Sequence, residues 1–182
     1  MVFLEIDHNN YFVLLQQIAV ALHLSHQPSQ DFLEIPESMG SGYFKALRLF
    51  DELQVLIADA VLVKEISYRR LASTEVFYVL HFDDVFISAL LQVKVDDEVL
   101  HKVNTRHSFA RLTSSLFYHE EKFPAGQQLK GIKVLFNENW LKKYLGLSSG
   151  SEVLRKYLSL KTESFHFEPL DEEYMRLLND LW

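Results

Sequence analysis

Eight histidines, eight tyrosines and 25 Asp and Glu residues supply this chain's acid–base groups, and there is no cysteine. A metal site built on strands needs ligands at alternate positions, because only those point to one side. The histidines stand at 8, 23, 26, 81, 101, 107, 119 and 166, and no two are separated by a single residue. His23 and His26 have helical spacing, but they lie at the frayed end of a helix with no carboxylate nearby. In His119-Glu120-Glu121 the neighbours point opposite ways on a strand, so the triplet reads as no metal anchor. No metal and no cofactor is expected. The chain also lacks a Gly-x-Ser-x-Gly elbow, a phosphate loop and a dinucleotide fingerprint. Gly40-Ser41-Gly42 is too short to cradle a phosphate and leads into a strand. Asp83-Asp84 and Asp96-Asp97 sit at breaks between apolar runs and read as solvated turns. On these grounds the chain is expected not to be an enzyme. What remains is binding: Arg48, Tyr68, Tyr78 and His81 fall on predicted strands and could line a small-molecule pocket. Their facing is left open, because a one-residue slip in register reverses it.

The elements that would position these groups are mostly strands. Asp31 to Val63 sets the pattern, with a short apolar run to Pro36, a turn-rich patch at Gly40-Ser41-Gly42, and strands Tyr43–Leu49 and Leu53–Val63. Lys64–Leu71, Glu75–Phe82, Ile87–Val95, Arg111–His119 and Ile132–Phe136 continue it, while Val99–Phe109 is irregular. Roughly eight closely spaced strands without crossover-length helices favour a sandwich or barrel over a doubly wound sheet. Ahead of them, Val2–Ile6 reads as an edge strand or arm. Asn10 caps a helix to about Leu24, with Phe12, Leu15, Ile18, Ala19 and Leu22 on one stripe. After them the period changes: Asn137 caps a helix ended by Gly146, Ser149 and Glu152 have capping-box spacing for a second, and Pro169 opens a third.

Composition narrows the partners. The net charge is −7, and the most basic stretch, Lys102 to Lys133, scatters its charges without a stacking platform, as a solvated face does. The longest apolar runs fall short of the ~18 residues a membrane helix needs. Glu5 and Asp7 are acidic and no Lys or Arg precedes Lys45, so no signal peptide is read. A soluble cytoplasmic protein without membrane contact is expected.

The run Ile35-Pro36-Glu37-Ser38-Met39-Gly40-Ser41-Gly42-Tyr43, leading into paired strands, resembles the start of the N-terminal domain of AraC-type transcriptional regulators. The likeness, one of pattern and order along most of the chain, implies a mainly β chain with helices (α+β). An N-terminal arm and helix (1–30) would precede an antiparallel cupin-like or jelly-roll barrel (31–136) and C-terminal helices (137–182). It implies sensing of a small-molecule effector, dimerisation, and contact with DNA only through a helix-turn-helix domain absent from this chain. In such regulators the C-terminal helices commonly form the dimer, which makes the stripe Leu170, Tyr174, Leu177, Leu178 and Leu181 the candidate homodimer face. Trp182 ends the chain inside an apolar pattern, so a fragment of a longer protein is expected. The alternatives are a cupin-like metal-dependent enzyme and a stand-alone small-molecule-binding barrel.

Overall fold

The computed structural model describes residues 1–6, 9–25, 30–85, 92–95, 98–101, 107–146, 168–169 and 172–180. In chain order the elements are β1 (Val2–Ile6), α1 (Tyr11–Ala21), β2 (Phe32–Glu34), β3 (Gly40–Phe50), β4 (Leu53–Leu62), β5 (Ile66–Arg70) and β6 (Phe77–Val85). They continue with β7 (Gln92–Val95), β8 (Glu98–His101), β9 (His107–Ser114), β10 (His119–Phe123), β11 (Gln128–Asn137), α2 (Glu138–Leu145), β12 (Glu168–Pro169) and α3 (Glu172–Asn179). The strands form two sheets, ordered β1-β5-β10-β7-β8 and β12-β9-β6-β11-β4-β3-β2. Among the described residues every pairing is antiparallel except β1 with β5. This is the expected class: a mainly β sandwich of largely antiparallel sheets, with an N-terminal helix and a C-terminal helical segment.

Alternation decides which side chains meet. On β4, Leu56, Ala58, Ala60 and Leu62 face the interior; on β6, Phe77 and Val79 do; on β1, Val2, Leu4 and Ile6 do. The opposite face of the larger sheet carries a separate cluster of Leu53, Tyr78, Phe136 and Leu141, the last supplied by α2. Helix α1 closes the interior with Tyr11, Leu14, Leu15, Ile18 and Ala19. Its start is fixed twice. The Asn10 side chain accepts from the N–H groups of Phe12 and Val13, and the Tyr11 N–H donates to Gln54 Oε1 at 3.0 Å. Asn137 caps α2 by accepting from Trp140, and Gly146 ends it in the left-handed region.

Several boundaries differ from the sequence reading. Gly40 and Gly42 lie inside β3 rather than in a turn. Their φ values are +149° and +94°, and a Cβ on Gly42 would come within 1.9 Å of the Asp59 carbonyl oxygen. The β6 ladder runs through Asp83-Asp84 to Val85, because β9 and β11 satisfy its backbone on both sides. Arg111–His119 is two strands, β9 and the start of β10, separated by a turn after Ser114. Glu168-Pro169 pairs with β9, so Pro169 does not open a helix; α3 begins at Glu172. The proposed helix at Ser149 and the Asp96-Asp97 break lie outside the described residues. Among the described residues no helix is long and apolar enough to cross a membrane.

Candidate functional site

The interior holds a chamber of about 90 Å³. Most of its wall is apolar: Leu4 from β1, Tyr11, Leu14, Ile18 and Leu22 from α1 and the turn after it, Phe44 from β3, and Leu56, Ala58 and Leu62 from β4. One end is different. There Tyr68, His81, Asp83, Glu121 and Lys133 line the chamber. Each reaches it for a simple reason: 81 and 83 alternate on β6, 119 and 121 on β10, and 68 and 70 on β5.

Register sets the chemistry of this end. Lys133, His81 and Arg111 are direct cross-strand partners on β11, β6 and β9, forming one rung of cation, imidazole, cation. His81 Nδ1 lies 3.1 Å from Lys133 Nζ and 3.3 Å from Arg111 Nη2, both of which can only donate. Nδ1 is therefore the acceptor, and Nε2–H donates to Thr113 Oγ1 at 2.9 Å. Thr113 in turn donates to the Val79 carbonyl. This chain of partners fixes one tautomer and a neutral ring. Burial, then Arg111 and Lys133, push the His81 pKa well down.

Arg111 joins the two sheets. It is 2% exposed. Its guanidinium pairs with Glu121, lies 3.5 Å from Asp83 Oδ2 and is 3.4 Å from His119 Nε2. Burial alone would raise the Glu121 carboxyl; Arg111 and then His119 outweigh it and hold it well below the usual range. His119 Nε2 is 3.0 Å from Glu121 Oε1, in the same cluster as the Arg111 guanidinium. Burial lowers the His119 pKa despite Glu121, and the ring is neutral at pH 7. Lys133 Nζ is 3.0 Å from Asp83 Oδ1 and retains some exposure. The neighbouring rung needs Gly131, where a Cβ would stand 2.6 Å from Asp83 Oδ1 and 2.7 Å from the Phe82 carbonyl oxygen.

A cupin-like metal enzyme would hold its ion among such histidines and carboxylates. Here the residues do not fit one. His81, Asp83, His119 and Glu121 converge on the Arg111 guanidinium, a permanent cation at the place where an ion would sit. Among the described residues no group of three or more His, Cys, Asp or Glu is arranged to hold a metal ion.

Of the four pocket residues expected from sequence, Tyr68 and His81 line the chamber. Arg48 is exposed on β3, over the Phe12 ring at 5.3 Å, and Tyr78 packs 5.7 Å from Phe136 on the opposite face of the sheet. Asp83 is buried and ion-paired rather than a solvated turn residue. The sequence reading missed Arg70, Asp83, Arg111, Glu121 and Lys133. The available signal was the spacing of two in Tyr68-x-Arg70, His81-x-Asp83 and His119-x-Glu121, which puts each pair on one strand face. In the C-terminal stripe, Leu177 is half exposed on α3, whereas Leu170 and Leu181 lie outside the described residues.

No protein-family model matches the chain, and no curated protein matches it. Among solved structures, that of KdgF from a Halomonas species is similar, with 8% identity, 61% of this chain and 89% of that chain covered, and a TM-score of 0.38. The expectation that the chain is not an enzyme is corrected. The sequence reading found no assembled acid–base groups, whereas the interior holds His81, Asp83, His119, Glu121 and Lys133 together.

Proposed function

We propose that the chain is a cupin-like small-molecule barrel that moves a proton on a ligand bound in its chamber. The observation that carries this reading is the juxtaposition of a mostly apolar chamber with an ionised carboxylate, Glu121, and a cation, Lys133, on one wall. A carbonyl compound fits such a wall. The Glu121 carboxylate, a weak base because Arg111 holds its pKa low, accepts a proton from the carbon beside the carbonyl, and the Lys133 ammonium steadies the negative charge that develops on oxygen. His81 is a positioning residue, since its Nδ1 accepts from Lys133 and directs that ammonium. No step is routed through a metal.

The test is proton NMR in D2O with the purified protein and a panel of small ketones, aldehydes and oxo acids. The expected result is exchange of the C–H beside the carbonyl for at least one compound. Glu121→Gln should abolish the exchange without abolishing shifts of the Ala58 and Leu56 methyl signals on ligand addition. Absence of both exchange and methyl shifts across the panel would overturn the reading.

A narrower reading, a sensing and dimerisation domain of an AraC-type regulator, shares the chamber-bound ligand. The order of elements favours it, because α2 and α3 follow the last long barrel strand. In that reading the three segments 1–30, 31–136 and 137–182 are arm, barrel and dimer helices. A reading frame continuing past Trp182 into two helix-turn-helix patterns supports it, and a stop codon there refutes it.

A further inference from the structure

We propose that the chamber's ligand is a small organic carboxylate, its headgroup held by Arg70 and Tyr11. This rests on the reading that the chamber binds a small molecule, and adds which one by chemical class.

Among the described residues, Arg70 is a buried charge without a counter-charge. Arg70 on β5 is 5% exposed. Its Nε and Nη2 both donate to the Tyr68 hydroxyl, at 3.2 and 2.8 Å, and its guanidinium lies 5.0 Å over the Phe77 ring. No carboxylate of the described residues forms an ion pair with it, and Nη1 is buried without a hydrogen-bond partner. The rest of the polar end balances itself, with Arg111 and Lys133 against Asp83 and Glu121 and both histidines neutral. Among the described residues of this end, Arg70 therefore leaves one net positive charge. Glu121 acts on it only through space. A buried, unpaired cation is costly, and an anion that pairs with it offsets that cost.

The second group is Tyr11, at the start of α1 and 2% exposed. Its ring lines the chamber, and its hydroxyl is also buried without a partner. Tyr11 and Arg70 together line a void of about 10 Å³ that shares Tyr11 and Leu14 with the chamber. Thus Arg70 and Tyr11, each with a buried donor atom that has no partner, line one void beside an apolar space. A carboxylate is the simplest group that accepts from both, and it carries the missing charge. The rest of the ligand must be apolar and small. The chamber's 90 Å³ falls below the ~150 Å³ of an apolar cavity that takes benzene, which points to a body of a few carbons.

The experiment is calorimetric titration of the full chain with carboxylates from butanoate to heptanoate, each against its own amide. The expected result is binding of at least one carboxylate, about tenfold or more tighter than the matched amide, as the loss of one charge-assisted hydrogen bond predicts. Tyr11→Phe, which removes only the hydroxyl, should weaken the carboxylate several-fold and leave the amide unchanged. Arg70→Lys keeps the charge and loses the fork, and should weaken the carboxylate as well. If amides bind as tightly as carboxylates, or Tyr11→Phe weakens both alike, the carboxylate assignment falls and the chamber reading stands. If neither class binds and neither moves the Ala58 and Leu56 methyl signals, both fall.

Discussion

Replacing Arg111 with Met removes the cation on which the polar end is built and keeps much of its volume. In the wild type the guanidinium pairs with Glu121, reaches Asp83 Oδ2 at 3.5 Å and is itself 2% exposed. The variant leaves Glu121, 3% exposed, facing a neutral thioether. Removing one partner of a buried ion pair costs about 3–5 kcal/mol, because the other charge stays desolvated. For a chain of this length each kcal/mol moves the melting temperature by about 2–4 °C. The expected fall is thus roughly 6–20 °C at pH 7. The same reasoning fixes a pH signature. Glu121 is held well below the usual carboxylate range, so its contribution is present above that range and is lost as pH falls through the folded-state pKa. Without Arg111 the carboxyl rises, and protonating it relieves the variant, so the gap between the two proteins narrows on acidification. Urea titrations at pH 7 and pH 4.5 measure both effects. Arg111→Met/Glu121→Gln, with both charges gone, should recover more than half of the loss. A loss under about 1 kcal/mol at pH 7, or a gap that does not change with pH, would refute the claim that this pair is buried and coupled.

Other outcomes follow from the same geometry. Stability of the wild type should decline as pH falls below about 6.5, because buried His81 and His119 both have lowered pKa values and the unfolded chain takes up protons first; denaturant midpoints from pH 8 to pH 5 check this. Gly131→Ala should destabilise by about 1–3 kcal/mol, since its Cβ would meet Asp83 and the backbone of β6, and a urea midpoint measures it. Asn10→Ala should cost about 1 kcal/mol through the lost cap of α1, read in the same assay. Arg111→Ala, which clears the point where two imidazoles and two carboxylates meet, should bind added Zn2+ where the wild type does not; metal analysis after dialysis decides it.

The local rules of the chain were legible in the sequence. Asn10 and Asn137 cap their helices and Gly146 ends α2 because capping depends on a few neighbouring residues. Alternation marked β3, β4 and β11, and the spacing of strands was enough for a mainly β sandwich or barrel. The site was not legible to the same degree. Asp83-Asp84 looked like a solvated break, because the strands that make it a ladder, β9 and β11, are distant in sequence. Arg111 looked like an ordinary strand residue. It becomes the centre of the polar end only when β9 lies beside β6 and β10 comes across from the other sheet. Tyr78 and His81, three residues apart on β6, take opposite faces by alternation alone, but only the fold decides that Tyr78 goes to the outer cluster and His81 to the chamber. Sequence determines which residues can share a face, since that follows from a period of two along one strand. Tertiary structure alone decides which faces meet, and with them which charges are paired, which are buried, and that Arg70 has no acidic partner among the described residues.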